Sequence, residues 1–177
     1  WIELYGDESS GKTTTAVNLS AALAEKGKRV LLIDLDPQAS ASIWLGLYNA
    51  VQDKDLFDLH AGPELIPELA QKTKVKNLEM IPFIPLKGKY SKEMKEHPNK
   101  ASILKNKFAA IDPKRWDYVI FDCSPGLNLT TLNAMGAANE IIIPVVAQSL
   151  ALYGVLSLLD TLESVQAKLN PDLVITG

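Results

Sequence analysis

The sequence holds one cysteine and two histidines. Cys123 alone cannot close an internal disulfide, which points to a reducing, intracellular compartment. His60 and His97 fall in loop-like or helical surroundings and read as surface residues rather than ligands. Without a histidine partner, Cys123 reads as a small buried residue, not a nucleophile. No apolar run approaches the ~20 residues of a membrane-spanning helix. The longest, residues 141–147, has strand length and contains Pro144. No signal peptide is recognisable and no initiator methionine is present, since the chain opens at Trp1 inside a predicted strand. A cytoplasmic protein with a trimmed or processed N-terminus is expected, with no membrane partner. An excess of positive charge is also missing. With 18 Lys+Arg against 21 Asp+Glu, the net charge is -3, which excludes a protein held to nucleic acid by its overall charge. There is no internal repeat and no low-complexity segment.

What is present is enough material for a core. Hydrophobic residues make up 47% of 177 residues, which rules out disorder as the general state. The length suits a single domain over residues 1–177. Charge is unevenly spread. Residues 72–115 hold twelve Lys/Arg and four Asp/Glu, a local +8, leaving six basic and seventeen acidic residues elsewhere, or -11. This basic segment reads as a solvated, lysine-rich helix with its loops, the alternative being a patch for phosphate backbones or an acidic partner.

Short β-rich runs alternate with helical stretches. Strands are predicted over 2–5, 30–33, 78–83, 118–121, 140–146 and 173–176. Helices are predicted over 11–26, 39–47, 63–73, 129–138 and 150–169, with a mostly helical stretch over 90–110 broken at His97-Pro98. The apolar runs 30–33 and 118–121 have the character of strands buried on both faces. Pro144 suggests a bend or an edge. The fold class is α/β: an open, mostly parallel sheet with helices on both faces and right-handed crossovers. Ligands in such sheets sit at the carboxyl ends of the strands.

Three motifs fall at that edge. Gly6-Asp7-Glu8-Ser9-Ser10-Gly11-Lys12-Thr13 fits G-x-x-x-x-G-K-[ST] between a predicted strand and a predicted helix, the context a phosphate-binding P-loop requires. Successive backbone N–H groups there form an anion nest, reinforced by the helix dipole. Lys12 would reach the β- and γ-phosphates, and the Thr13 hydroxyl would ligate Mg²⁺. Residues 6–14, including Thr14, are the predicted nucleotide-binding set. Second, Asp34-Leu35-Asp36-Pro37-Gln38 ends the 30–33 strand. Two carboxylates near a triphosphate suit water positioning and Mg²⁺ support. The competing reading is an Asp-Pro turn that merely ends a strand. Third, Tyr118-Val119-Ile120-Phe121-Asp122 has the form of a strand that delivers an acid to the metal through water.

These residues resemble a family. Gly11-Lys12-Thr13-Thr14-Thr15-Ala16-Val17-Asn18-Leu19, the run from Gly27 through Gln38, the run from Trp116 through Pro125, and residues 133–145 and 151–163 are similar to the ParA/Soj/MinD partition ATPases. The resemblance covers nearly the whole chain from Gly11. It implies a dimerising ATPase switch, using ATP/ADP and Mg²⁺, that partitions or positions DNA or protein cargo. It further implies nonspecific DNA binding by the closed dimer, association with the nucleoid, and a ParB-like or cargo-adaptor partner that stimulates slow hydrolysis. Carried across, Lys12 is the catalytic P-loop lysine, Thr13 the Mg²⁺ ligand and Asp36 the water-positioning acid. Asp34 is the supporting acid and Asp122 the acid at the metal.

Two departures stand against that pattern. The family loop reads K-G-G-x-G-K-T, and its signature lysine, which reaches across the dimer, is Asp7 here, followed by Glu8 and Ser9 in place of two glycines. Residues 2–14 instead resemble the loop of RecA-type recombinases. A weakened homodimer follows. The chain is also expected to be C-terminally truncated relative to the family. Two alternatives to the partition switch are a nucleotide-binding module with little turnover, its loop divergent or engineered, and a RecA-like recombinase module.

Overall fold

A computed structural model of the protein describes residues 1–6, 10–48, 56–57, 65–83, 95–145 and 151–177, with the backbone alone for 151–158. The described strands are β1 (Ile2–Leu4), β2 (Val30–Asp34), β3 (Gln71–Lys72), β4 (Leu78–Ile81), β5 (Tyr118–Asp122), β6 (Glu140–Ile142) and β7 (Val174–Ile175). They form one sheet in the order β3-β4-β2-β5-β1-β6-β7. Every pairing is parallel except β3 with β4. The helices are α1 (Lys12–Glu25), α2 (Ser40–Trp44), α3 (Leu65–Leu69), α4 (Ile103–Ala109), α5 (Leu129–Ala137) and α6 (Ala151–Lys168), with a 3-10 turn at Lys100–Ser102.

The alternation of side chains along each strand divides the core in two. Ile2, Leu4, Val30, Leu32, Leu78, Met80 and Ile120 pack on one face with Ala16 and Ala24 of α1. Leu31, Ile33, Ile81, Val119 and Phe121 pack on the other with residues of α3, α4 and α5. The α1 stripe Lys12, Ala16, Ser20, Ala24 is buried. These residues are four apart, so they share one helix face, and the small ones let α1 lie close to the sheet. Parallel strands buried on both sides read as unbroken apolar runs, and all five residues of β2 are buried.

From β1 the chain crosses α1 to β2, passing over the later β5. From β5 it crosses α5 to β6, on the other side of β1. The direction of winding therefore reverses beside β1. At such a point the crossover helices on opposite faces leave a crevice at the carboxyl ends of the strands.

The predicted helix over 63–73 is corrected. It ends at Leu69, and Gln71–Lys72 pairs antiparallel with Met80 and Glu79. Two residues are too few to show a strand period, so only the partner strand defines them. Other elements are also shorter than predicted, most clearly α2, which covers only Ser40–Trp44, β4, which ends at Ile81, and β6, which ends at Ile142, before Pro144. β6 is paired on both sides, with β1 and β7, and is no edge. Within 90–110, the described helix is confined to Lys100–Ser102 and Ile103–Ala109 apart from residues 95–96, while 90–94 lie outside the described residues.

Candidate nucleotide site

The loop between β1 and α1 is set by close approach. At Gly6, a Cβ would meet the Pro144 carbonyl oxygen at 3.2 Å and Ser10 Oγ at 3.0 Å. Pro144, expected to mark a bend, thus walls the start of the loop. Gly11 precedes α1 with φ 94°, left-handed backbone that favours glycine. Gly11 has no side chain to cap α1, and among the described residues none does so. Its first N–H groups are left for another acceptor, and together with the helix dipole they make an anion site. Asp7, Glu8 and Ser9 lie outside the described residues.

The acids arrive on strands. Register places Leu4 beside Asp122 and Asp122 beside Asp34 at the carboxyl ends of β1, β5 and β2. Asp34 and Asp122 follow the parity of Leu32 and Ile120, so they face the α1 side of the sheet, where Lys12 and Thr13 begin the helix. Lys12 is buried, at 6% exposure.

Burial pushes the Asp122 carboxyl up to about 7. The Thr13 hydroxyl and the Lys12 ammonium favour its charged form, while Asp34 and Asp36 oppose it. Thr13 nevertheless lies outside good hydrogen-bond geometry, because neither Asp122 oxygen has a partner among the described residues. Ser10 Oγ is likewise buried without one. Asp34 is the opposite case. Its Oδ1 accepts from the Asp36 N–H at 3.1 Å. Its Oδ2 accepts from the Ser42 N–H at 2.9 Å and the Ser42 hydroxyl at 2.6 Å. Burial still raises its pKa, and these bonds oppose the rise. Asp36 Oδ1 accepts from the Gln38 N–H at 2.9 Å, which fixes the turn that Pro37 enters.

The structure therefore brings Gly6, Ser10, Gly11, Lys12, Thr13, Thr14, Asp34, Asp36 and Asp122 to one edge of the sheet. Among the described residues no group of three or more His, Cys, Asp or Glu is arranged as a ready metal cage. A magnesium ion would need oxygen ligands from phosphates and water as well as from protein, which is its usual habit. Orphaned buried oxygens on Asp122 and Ser10, next to an uncapped helix start, fit a magnesium nucleotide.

Two residues escaped the sequence reading. Ser42 anchors Asp34 and also accepts from the Phe83 N–H at 2.8 Å, and nothing in its spacing announces this. Glu3 is fully buried in β1, and among the described residues both its carboxylate oxygens are unpartnered; burial raises its pKa well above its ordinary value. A lone acid in an apolar strand was the available signal. The neighbouring Cys123 is buried, and burial together with the Glu3 carboxyl pushes its thiol pKa up. It is a packing residue, as expected. Of the two histidines, His97 lies between elements and its Nδ1 accepts from the Asn99 N–H, while His60 lies outside the described residues.

Residues 8–175 match the AAA domain family. The chain is 39% identical over 167 residues to the sporulation initiation inhibitor protein Soj of Bacillus subtilis, covering 94% of this chain and 66% of Soj. It is 38% identical over 168 residues to the chromosome partitioning protein ParA of Caulobacter vibrioides, covering 94% and 63%. Among solved structures, cobyrinic acid a,c-diamide synthase from Mycobacterium smegmatis, with bound ATP analogue and magnesium, superposes with a TM-score of 0.77 at 32% identity over 98% of this chain and 71% of that one. The chain spans a little under two thirds of the length of these curated relatives.

Proposed function

The chain belongs to the ParA/Soj/MinD-type partition ATPases, and from that premise we propose that it is an ATP-dependent switch that partitions or positions DNA or protein cargo. One observation carries the reading: the uncapped start of α1, with Lys12 and Thr13, opens at the sheet edge where Asp34 and Asp122 end neighbouring strands. The backbone N–H groups of residues 6–14 would hold the phosphates of ATP or ADP. The Lys12 ammonium would add a charge-assisted contact. Thr13 would hold Mg²⁺, with Asp122 reaching it through water and Asp34 in support. When bound, Mg²⁺ supplies neutralisation of phosphate charge. Asp36, fixed by the Gln38 N–H, would orient a water for attack.

Nonspecific DNA, a ParB-like or cargo-adaptor protein and a second copy of the chain are the partners this reading names. The cytoplasm, and the nucleoid when DNA is bound, is the proposed place of action. Among the described residues, no helix is long and apolar enough to cross a membrane. Asp7 in place of the signature lysine favours a second reading, a nucleotide-binding module with little turnover.

Measuring ATP binding and Mg²⁺-dependent turnover, with and without DNA, tests both. Slow turnover that Lys12→Ala abolishes supports the switch. Binding without turnover selects the second reading, and absence of binding removes both.

A further inference from the structure

A second basic concavity lies at the opposite edge of the sheet. It is an open cleft of about 620 Å³ lined by the β3–β4 hairpin and by the segments that enter β2 and β5. Its volume falls within the range of about 300–1,000 Å³ typical of small-ligand pockets. Leu78 and Trp116, 2% and 3% exposed, lie at its base. Arg29, Lys72, Lys76, Lys114 and Arg115 contribute five cations.

The charges divide into paired and unpaired groups. Arg29 donates through Nε to Asp117 Oδ2 at 3.1 Å, and its Nη1 donates to the Lys114 carbonyl. Arg115 stacks over the Trp116 ring at 5.2 Å and faces Glu79 at 3.6 Å. The Trp116 indole donates to the same Glu79 carboxylate at 2.8 Å. Asp112, also in the lining, accepts from the Lys114 backbone N–H at 2.9 Å. The acids of the cleft are thus engaged. The exposed ammonium groups of Lys72, Lys76 and Lys114 make no ion pair among the described residues.

Three lysines without an ion pair, two on the hairpin that joins β3 to β4 and one on the segment that enters β5, border one open cleft. Solvated lysines spread over a helix face would not converge in this way. We propose that this cleft is a second anion site, distinct from the P-loop, for a small molecule carrying two or more phosphate groups. Three lysines gathered at one cleft favour a compact polyanion over a duplex, whose phosphates need a longer basic track.

The test is a titration of the ¹⁵N-labelled full chain with inorganic tripolyphosphate at physiological salt, reading the Trp116 indole N–H and the backbone amides. The expected result is a saturable Trp116 shift whose midpoint weakens by about tenfold or more in Lys72→Ser/Lys76→Ser/Lys114→Ser, as lost charge-assisted contacts require. Responses at Gly11 to Thr13 should be unaltered by the triple substitution, which also confirms the variant is folded. Responses confined to the P-loop overturn the proposal. So does a Trp116 shift that survives the triple substitution. A Trp116 response to a double-stranded oligonucleotide but not to tripolyphosphate overturns it in favour of a DNA surface.

Discussion

Asp34 and Asp122 stand opposite each other at the ends of adjacent parallel strands, and among the described residues Asp34 accepts three hydrogen bonds while neither Asp122 oxygen has a partner. Asp34 accepts three, from Asp36 and Ser42. Asp122 is fully buried, and among the described residues both its oxygens are unpartnered. The same residue type at matched register therefore does two jobs. Asp34 ties the sheet edge to α2, and Asp122 holds unspent acceptor capacity facing Lys12 and Thr13.

That unspent capacity has a stability cost in nucleotide-free protein. The Asp122 pKa rises from 3.8 to about 7 on folding. Below the unfolded value both states are protonated and there is no penalty. Between about pH 4 and 7 the unfolded chain ionises more readily, so the penalty grows, and above about 7 it is constant. Its upper bound is roughly 4 kcal/mol, three pKa units at 1.36 each. Asp122→Asn should therefore raise the melting temperature at pH 8 by more than at pH 4. Equal effects at both pH values in thermal denaturation would contradict the assignment.

Ser42→Ala should destabilise the fold. It removes the hydroxyl that donates to Asp34 and accepts from the Phe83 N–H. Removing the donor to buried Asp34 and leaving the part-buried Phe83 N–H unmet costs about 1–3 kcal/mol. Urea unfolding reads this directly, and a change below the fitting error would mean that water replaces the hydroxyl.

Lys12→Ala should weaken ATP binding by about 1.5–3 kcal/mol, the worth of a hydrogen bond to a charged group. Calorimetric titration with a hydrolysis-resistant analogue measures it. Undiminished affinity would remove the P-loop reading.

Asp36→Ala should leave nucleotide affinity near the parent value and slow turnover, because a residue that orients water acts on the transition state. Parallel measurements of binding and phosphate release separate the two effects. Loss of both in proportion would reassign Asp36 to folding or to the metal.

Asp7 lies outside the described residues, and its prediction rests on charge. Where the family has a lysine facing the partner's phosphates, a carboxylate repels them. Two like charges at ~4 Å and an effective dielectric of ~20 cost roughly 4 kcal/mol before solvent reduces it. The unmodified chain should remain mostly monomeric with ATP. Asp7→Lys, with Glu8→Gly and Ser9→Gly, should gain an ATP-dependent dimer in light scattering. A tight ATP-dependent dimer of the unmodified chain would show the repulsion to be irrelevant.

The sequence by itself determined the parts of this protein that depend on local order. The β-α alternation, the apolar runs of β2 and β5, and Gly11-Lys12-Thr13 at the start of a helix are patterns of neighbours, and backbone geometry turns them into strand, loop and helix. Tertiary structure alone decided what neighbours across the sheet impose. β3 exists because β4 offers it a partner. Asp34 and Asp122 are 88 positions apart in the chain yet level in register, and their opposite bonding comes from Ser42 on α2. The cleft lined by Arg29, Lys76 and Lys114 arises because parallel strands bring three distant entry segments to one edge. A linear pattern can state that a residue is acidic or basic. Burial and the company of other chain segments decide whether its charge is spent within the fold or left for a ligand.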